Sequence, residues 1–251
     1  MRRILSVFAA IVLALGLALP SSADSFTPDQ KAELESLIHS YLMDHPEVLR
    51  DMAQALDLRD KRVADEQRGK VLSSAGKDIF HNGIDAVVGN PNGDVTVVEF
   101  MDYNCGWCRK SIKEIQSIVG SDPKVRVVMK EFPIFGDGSE YAARAALAAV
   151  KQGKYWELHQ ALFATEGKVT ADVVDQVAKK VGLDVAKLKS DMKDPAIDAN
   201  IAKTAQLAET LQFTGTPGFI VDTKVFPGYE PKDALMAAIA EVRANGGCKA
   251  C

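Results

Sequence analysis

The chain is sparing with the residue types that many function classes require. It has only four cysteines and four histidines in 251 residues. The histidines, His39, His45, His81 and His159, are scattered and form no ligand motif. The cysteines fall into two pairs, Cys105/Cys108 and Cys248/Cys251, and no second Cys/His pair follows the first at finger spacing, which argues against a structural zinc module. Basic residues do not exceed acidic ones (30 against 34, formal net charge −4), so the electrostatic footprint of a nucleic-acid binder is missing and no such partner is expected. Gly89-Asn-Pro-Asn-Gly93 is a turn without phosphate-loop spacing, and no other stretch reads as a cofactor box. Neither a cofactor nor a metal is expected. Beyond Leu19 no apolar run reaches membrane-spanning length.

Met1-Arg-Arg3 is a short basic start, Ile4 to Leu19 is apolar, and Pro20-Ser-Ser-Ala23 ends in small residues. That pattern is a secretory signal peptide with cleavage expected after Ala23; an uncleaved anchor is the alternative. Export places the remaining chain where disulfides form and persist. Thr27-Pro-Asp-Gln30 is a helix start: a threonine cap, proline at the first helical position and glutamine three residues after the cap. Leu34, Leu37, Ile38, Tyr41 and Leu42 form one apolar stripe, interrupted at His45-Pro46 and resumed by Val48, Leu49, Met52 and Leu56. The charged run Asp57 to Lys70 buries little by itself and reads as a helical spacer. The stripe either packs back on the rest of the chain or meets its counterpart in another copy, and self-association is the favoured reading. Residues 24–83 are therefore assigned to an N-terminal association segment and linker, and 84–251 to a catalytic domain.

The stretch from Val95 to Lys110 carries the chemistry. Val95 to Met101 is an apolar, β-branched run of strand length, followed by Cys105-Gly-Trp-Cys108 and then by Ile112, Ile115 and Val119 at helical spacing. A strand that ends in C-x-x-C and turns into a helix puts Cys105 at the helix N-terminus, where unpaired N–H groups and the helix dipole favour a thiolate. Cys108 lies one turn further in, within reach of a mixed disulfide formed on Cys105. Arg109 and Lys110 add positive charge nearby, and such settings lower a cysteine pKa to roughly 3.5–7.5. The pair reads as a redox dithiol; a structural disulfide and half a zinc site are the plainer alternatives. Glu99 is the lone acid of that strand. Buried under Cys108 it would take up the second cysteine's proton, whereas turned outward it would meet solvent or a lysine.

Around this stretch, Ala86-Val-Val-Gly89 and Lys124 to Ile134 read as strands, and strand patterning returns at Phe219-Ile-Val221 and Lys224-Val-Phe226. Between them, from about 138 to 212, lie alanine-rich segments of helical period, and Pro231 to Ala244 is a last helix. A β-α-β unit with a right-handed crossover is expected. The class is α/β, with a helical insertion inside one sheet.

Cys-Gly-Trp-Cys after a strand, with Thr216-Pro217 opening a late strand, resembles the thioredoxin fold. The helical insertion resembles DsbA-like thiol:disulfide oxidoreductases, and Phe26-Thr-Pro-Asp-Gln30, His45-Pro-Glu-Val-Leu49 and Asp102-Tyr-Asn-Cys105 are similar to the ScsC (suppressor of copper sensitivity) branch. The resemblance implies a cis Pro217 facing the sulfurs, a Thr216 that tunes them, and an acid six positions before the first cysteine, where Glu99 stands. Gly106 is expected to permit the turn and Trp107 to shape the substrate-facing surface. It further implies a periplasmic disulfide isomerase or reductase acting on misfolded or disulfide-containing exported proteins, served by a membrane redox partner. A homo-oligomer is implied, a trimer first and a dimer next. A disulfide-donating oxidase is the alternative, and a copper-binding thiol protein another, since reduced thiols suit Cu(I). The tail Gly246-Gly-Cys-Lys-Ala-Cys251 is not required by the family's pattern and is expected to be a mobile accessory, forming a local disulfide or at most a shuttle. Tyr103, Phe132 and Tyr229 are either substrate contacts or core.

Overall fold

The computed structural model describes residues 26–251, so the expected signal peptide falls outside the described residues. The chain divides into two compact units, one ending at Arg59 and the other running from Asp60 to Cys251. In the first, α1 (Pro28–Asp44) opens with a complete capping box: the Thr27 hydroxyl accepts from the Gln30 N–H, and the Thr27 N–H donates to the Gln30 side chain. α1 stops before Pro46, and α2 (Glu47–Phe80) begins immediately after it. Proline cannot donate the helical hydrogen bond and restricts the residue before it, which is why the helix breaks here. α1 contains no buried residue; Leu37, Ile38, Tyr41, Leu49, Met52 and Leu56 are all at least half exposed.

The second unit is built on a five-stranded sheet of order β1-β3-β2-β4-β5. The strands are β1 (Ala86–Gly89), β2 (Val95–Met101), β3 (Val125–Glu131), β4 (Gly218–Val221) and β5 (Lys224–Phe226). β2 and β3 run parallel, with Val97 opposite Val127, and every other pairing is antiparallel. The parallel pair is joined through α3 (Gly106–Ser121), because parallel neighbours need a crossover. All residues of β2 and β3 are buried, so both faces of the central sheet are covered. On one face Val95, Val97 and Met101 pack with Ile112, Ile115 and Ile118 of α3 and Ile239 of α9 (Lys232–Ala244). On the other, Val98, Phe100 and Ile220 meet Leu207 and Leu211, near the end of α8 (Pro195–Thr210), together with Leu72, Ile79 and Phe80 of α2.

The last of these contacts departs from the sequence reading, which put everything before residue 84 outside the catalytic domain. Leu72, Ile79 and Phe80 recur at i, i+7 and i+8, so one face of the final turns of α2 is apolar enough to close the sheet. The charged run before them is continuous helix. The insertion comprises α4 (Asp137–Ala149), a 3₁₀ turn (Val150–Gln152), α5 (Tyr155–Phe163), α6 (Ala171–Lys180), α7 (Val185–Asp191) and α8. Its alanines pack close: Ala142, Ala145, Ala146, Ala148 and Ala149 are almost wholly buried.

Candidate active site

β2 and α3 position the two sulfurs as the strand–turn–helix pattern predicts. Cys105 is the N-cap of α3, and its Sγ accepts the Cys108 N–H at 3.4 Å. The segment before it is pinned from several sides. The buried Asp102 carboxylate accepts from the N–H of Asn104 and the Ser139 hydroxyl on one oxygen, and from the N–H groups of Ile134 and Phe135 on the other. Asn104 in turn accepts from the Val169 N–H and donates to the Val169 carbonyl, tying the cysteine turn to the insertion. Such a fully satisfied buried network fixes a loop because each lost partner would leave a desolvated polar group.

The Cys105 thiol donates to the Thr216 carbonyl at 3.1 Å, and the Thr216–Pro217 peptide is cis. The structure thus brings residues 105 and 216 together across more than a hundred residues of chain. The pKa of Cys105 is lowered to about 6. A hydrogen bond from the Cys108 side chain does most to lower it, burial opposes, and the Thr216 side chain and the N–H groups of Cys108 and Trp107 add to the lowering. Thr216 Oγ1 is buried without an aligned partner, free to turn to a thiolate once one forms. Arg109 and Lys110, expected to supply positive charge, point elsewhere. The Arg109 guanidinium is spent on the carbonyls of Phe163, Thr165 and Gly167 at the end of α5. The Lys110 ammonium sits over the rings of Tyr229 (4.3 Å) and Trp107 (5.3 Å).

Cys108 is buried, and its pKa is pushed up by burial first, then by its bond to Cys105 and the charge of Glu99. Glu99 is only 2 % exposed. Period two places it with Val97 and Met101 on the α3 face of β2, and the covered sheet denies it the solvent that the alternative reading required. Burial raises its pKa to about 8, the Ser111 hydroxyl moderates the rise, and the Cys105 charge adds to it. Ser111 was missed in the sequence. The available signal was a serine on the same helical face as Cys108, Ile112 and Ile115.

The remaining candidates divide between surface and core. Trp107 is 58 % exposed and lies against Tyr229, whose hydroxyl is held by Glu114. Gly106 has no left-handed backbone and a side chain there would meet open space, so, against expectation, the turn does not require glycine. Tyr103 is core: it is 1 % exposed and donates to Glu131, beside His159 and Tyr155. Phe132 packs edge-on against Phe100. A cleft of about 510 Å³ lined by Arg109, Lys113, Gln160 and Phe163 lies beside α3 and includes neither cysteine.

The tail is docked, contrary to the expected mobility. Cys248 and Cys251 form a disulfide, Asp222 accepts the N–H groups of Lys249 and Ala250, and Ala250 and Cys251 pack on the second sheet face. Among the described residues, Asp222, Cys248 and Cys251 are the single His/Cys/Asp/Glu group whose ligand atoms converge, and their sulfurs are already bonded to each other. Among the described residues no helix is long and apolar enough to cross a membrane.

With this geometry in hand, the comparisons with known proteins converge. Residues 96–240 match a family model for the DSBA-like thioredoxin domain, and residues 30–62 one for the copper resistance protein ScsC N-terminal domain. A thioredoxin-like oxidoreductase from Silicibacter pomeroyi DSS-3 is 46 % identical, with 67 % of this chain and 97 % of that one covered and a TM-score of 0.66. BcfH from Salmonella enterica Typhimurium is 26 % identical over 94 % of this chain and 98 % of its own, with a TM-score of 0.72. A Na(+)/H(+) antiporter NhaA 3 from Salinispora tropica is 28 % identical over 74 % of this chain, and the alignment spans 31 % of the antiporter's length. The chain thus spans less than a third of such curated relatives.

Proposed function

The chain belongs to the DSBA-like thioredoxin domain family, and on that premise we propose that it is an exported thiol:disulfide oxidoreductase, working in the periplasm as an isomerase or reductase of misfolded or disulfide-containing proteins. The observation that carries the reading is Cys105, a helix-capping cysteine with a pKa lowered to about 6 beside a buried partner thiol. At neutral pH a group with that pKa is about nine-tenths thiolate, and the thiolate is the nucleophile.

Cys105 attacks one sulfur of a substrate disulfide, forming a mixed disulfide and releasing the other substrate sulfur as a thiolate. Two exits follow. Another substrate thiol attacks the substrate's own sulfur, freeing Cys105 and leaving a rearranged substrate. Alternatively Cys108, its proton passed to Glu99, attacks Cys105 Sγ; the substrate leaves reduced and Cys105–Cys108 is oxidised. A membrane redox partner then returns the pair to the dithiol. Thr216 and Pro217 present backbone beside Cys105, where an extended substrate segment can pair, and Gly106 and Trp107 form the surface it crosses. The exposed stripe of α1 and early α2 is the part able to join copies into an oligomer, a trimer first.

One observation favours the second reading, a disulfide-donating oxidase. A lowered Cys105 pKa stabilises the reduced dithiol, which makes the disulfide a stronger oxidant. The two readings separate in paired assays of the full chain: recovery of a scrambled protein by the reduced enzyme, and folding of a reduced protein by the oxidised one. Isomerisation predicts efficient recovery of the scrambled substrate; activity confined to the reduced substrate contradicts it. Cys105→Ser should abolish both, and Cys108→Ser should accumulate mixed disulfides.

A further inference from the structure

The proton acceptor under Cys108 does not stand alone. Glu99 Oε1 accepts the hydroxyl of Ser111 at 2.8 Å, and Ser111 is fully buried, three residues after Cys108 on the same face of α3. Most of that face is aliphatic: Ile112, Ile115 and Ile118 follow at helical spacing. A lone hydroxyl among them, aimed at the one buried acid of β2, is placed for that acid and for little else.

We propose that Ser111 is a positioning residue for resolution, orienting the Glu99 carboxylate towards the Cys108 proton and enlarging the share of it that is charged. The proposal rests on the reading of Glu99 given above. In the step it serves, the Cys108 S–H bond breaks and its proton passes to Glu99. The freed sulfur attacks Cys105 Sγ, the Cys105–substrate S–S bond breaks, and the substrate thiolate leaves with the electron pair and takes a proton from solvent. The substrate disulfide is the oxidant, so no further reagent is needed. A hydroxyl that donates to the carboxylate favours its charged form, the form that can accept a proton. Burial keeps the Glu99 pKa at about 8 even with the Ser111 bond, so only about one carboxyl in ten is charged at pH 7; without the hydroxyl that charged share, the one form able to accept the proton, would shrink further. Because Ser111 rides on the same helix as Cys108, the acceptor is also kept in register with the group it serves.

The test mixes the reduced full chain with a chromogenic aromatic disulfide in a stopped-flow instrument. The first thiol released reports attack by Cys105, and the second reports resolution by Cys108. Ser111→Ala should leave the first phase unchanged. It should move the pH midpoint of the second upward by about one unit, slowing resolution about tenfold at pH 7 and converging with wild type at high pH. Ser111→Thr, which keeps the hydroxyl, should restore the midpoint, and Ser111→Ala should add nothing to Glu99→Gln. If Glu99→Gln flattens the second-phase profile while Ser111→Ala superimposes on wild type, the Ser111 proposal fails and the Glu99 reading stands. If Glu99→Gln leaves the profile intact, the Glu99 reading itself fails. Equal slowing of both phases by Ser111→Ala at every pH would make the serine a packing residue and overturn the proposal.

Discussion

Burying Glu99 destabilises the fold over a defined pH range. Its pKa is about 8 in the folded chain against an ordinary value of 4.5. Between those values the folded state holds a proton that the unfolded state has released, so stability falls as pH rises from 4.5 and levels off above 8. Glu99→Gln removes the effect while keeping an acceptor for Ser111. The variant's melting temperature should gain on wild type progressively from pH 5 to pH 8 in thermal scans; a constant offset would show that Glu99 does not titrate in this window. Thr216 acts on the other sulfur. Replacing its hydroxyl by methyl in Thr216→Val should raise the alkylation midpoint of Cys105 from about 6, by less than one unit, because the Cys108 side chain and two backbone N–H groups persist. That Cys105, Cys108 and Glu99 lie together was legible because a lone acid and a C-x-x-C are conspicuous against an apolar strand. Ser111 was not, because a serine on a helix is ordinary until the opposite strand is known. The expected part of Arg109 failed for a related reason: sequence proximity gives a charge but not its direction, and three carbonyls of the insertion claim it.

Helix α2 changes character along its length. Its early residues Leu49, Met52 and Leu56 are exposed, while Leu72, Ile79 and Phe80 close a sheet face. Phe80→Ala should therefore cost about 3–5 kcal/mol in chemical denaturation, as a core truncation does, whereas Leu49→Ala should cost little of the stability of a single copy. Strand and helix periods were readable throughout residues 86–244 because the local patterns are strong. The role of the α2 end was not, since three apolar residues within a charged helix show their partner only when the sheet is assembled. The tail was misread on similar grounds. Glycine suggested mobility, yet Asp222 binds two tail N–H groups and Ala250 packs on the core. Truncation after Asn245 should leave exchange with small substrates near wild type while lowering stability by about 1–2 kcal/mol, a fall of a few degrees in melting temperature. Unchanged stability would show that the docked tail contributes nothing.

At the scale of the whole molecule, the proposal joins a redox centre to an association segment. Several catalytic domains joined through one segment raise the local concentration of both thiol and binding surface, which suits rearrangement of wrong disulfides. The cut that separates the two parts belongs at Arg59, because the unit that holds the sulfurs begins at Asp60. Deleting residues 24–59 should give a monomer by sedimentation that still exchanges disulfides but loses recovery of scrambled protein; a truncated form that isomerises equally well would remove the segment from the mechanism. The family and the dithiol could be read from Cys-Gly-Trp-Cys and a distant Thr-Pro, whereas copy number and redox direction depend on surfaces and partners that no motif encodes. The proposed exchange chemistry turns on one ionisation. The thiolate absorbance of the reduced full chain, followed against pH, should rise with a midpoint near 6 and disappear in Cys105→Ser while persisting in Cys108→Ser. A single midpoint near the ordinary thiol value of 9, or a low midpoint that survives Cys105→Ser, would contradict it.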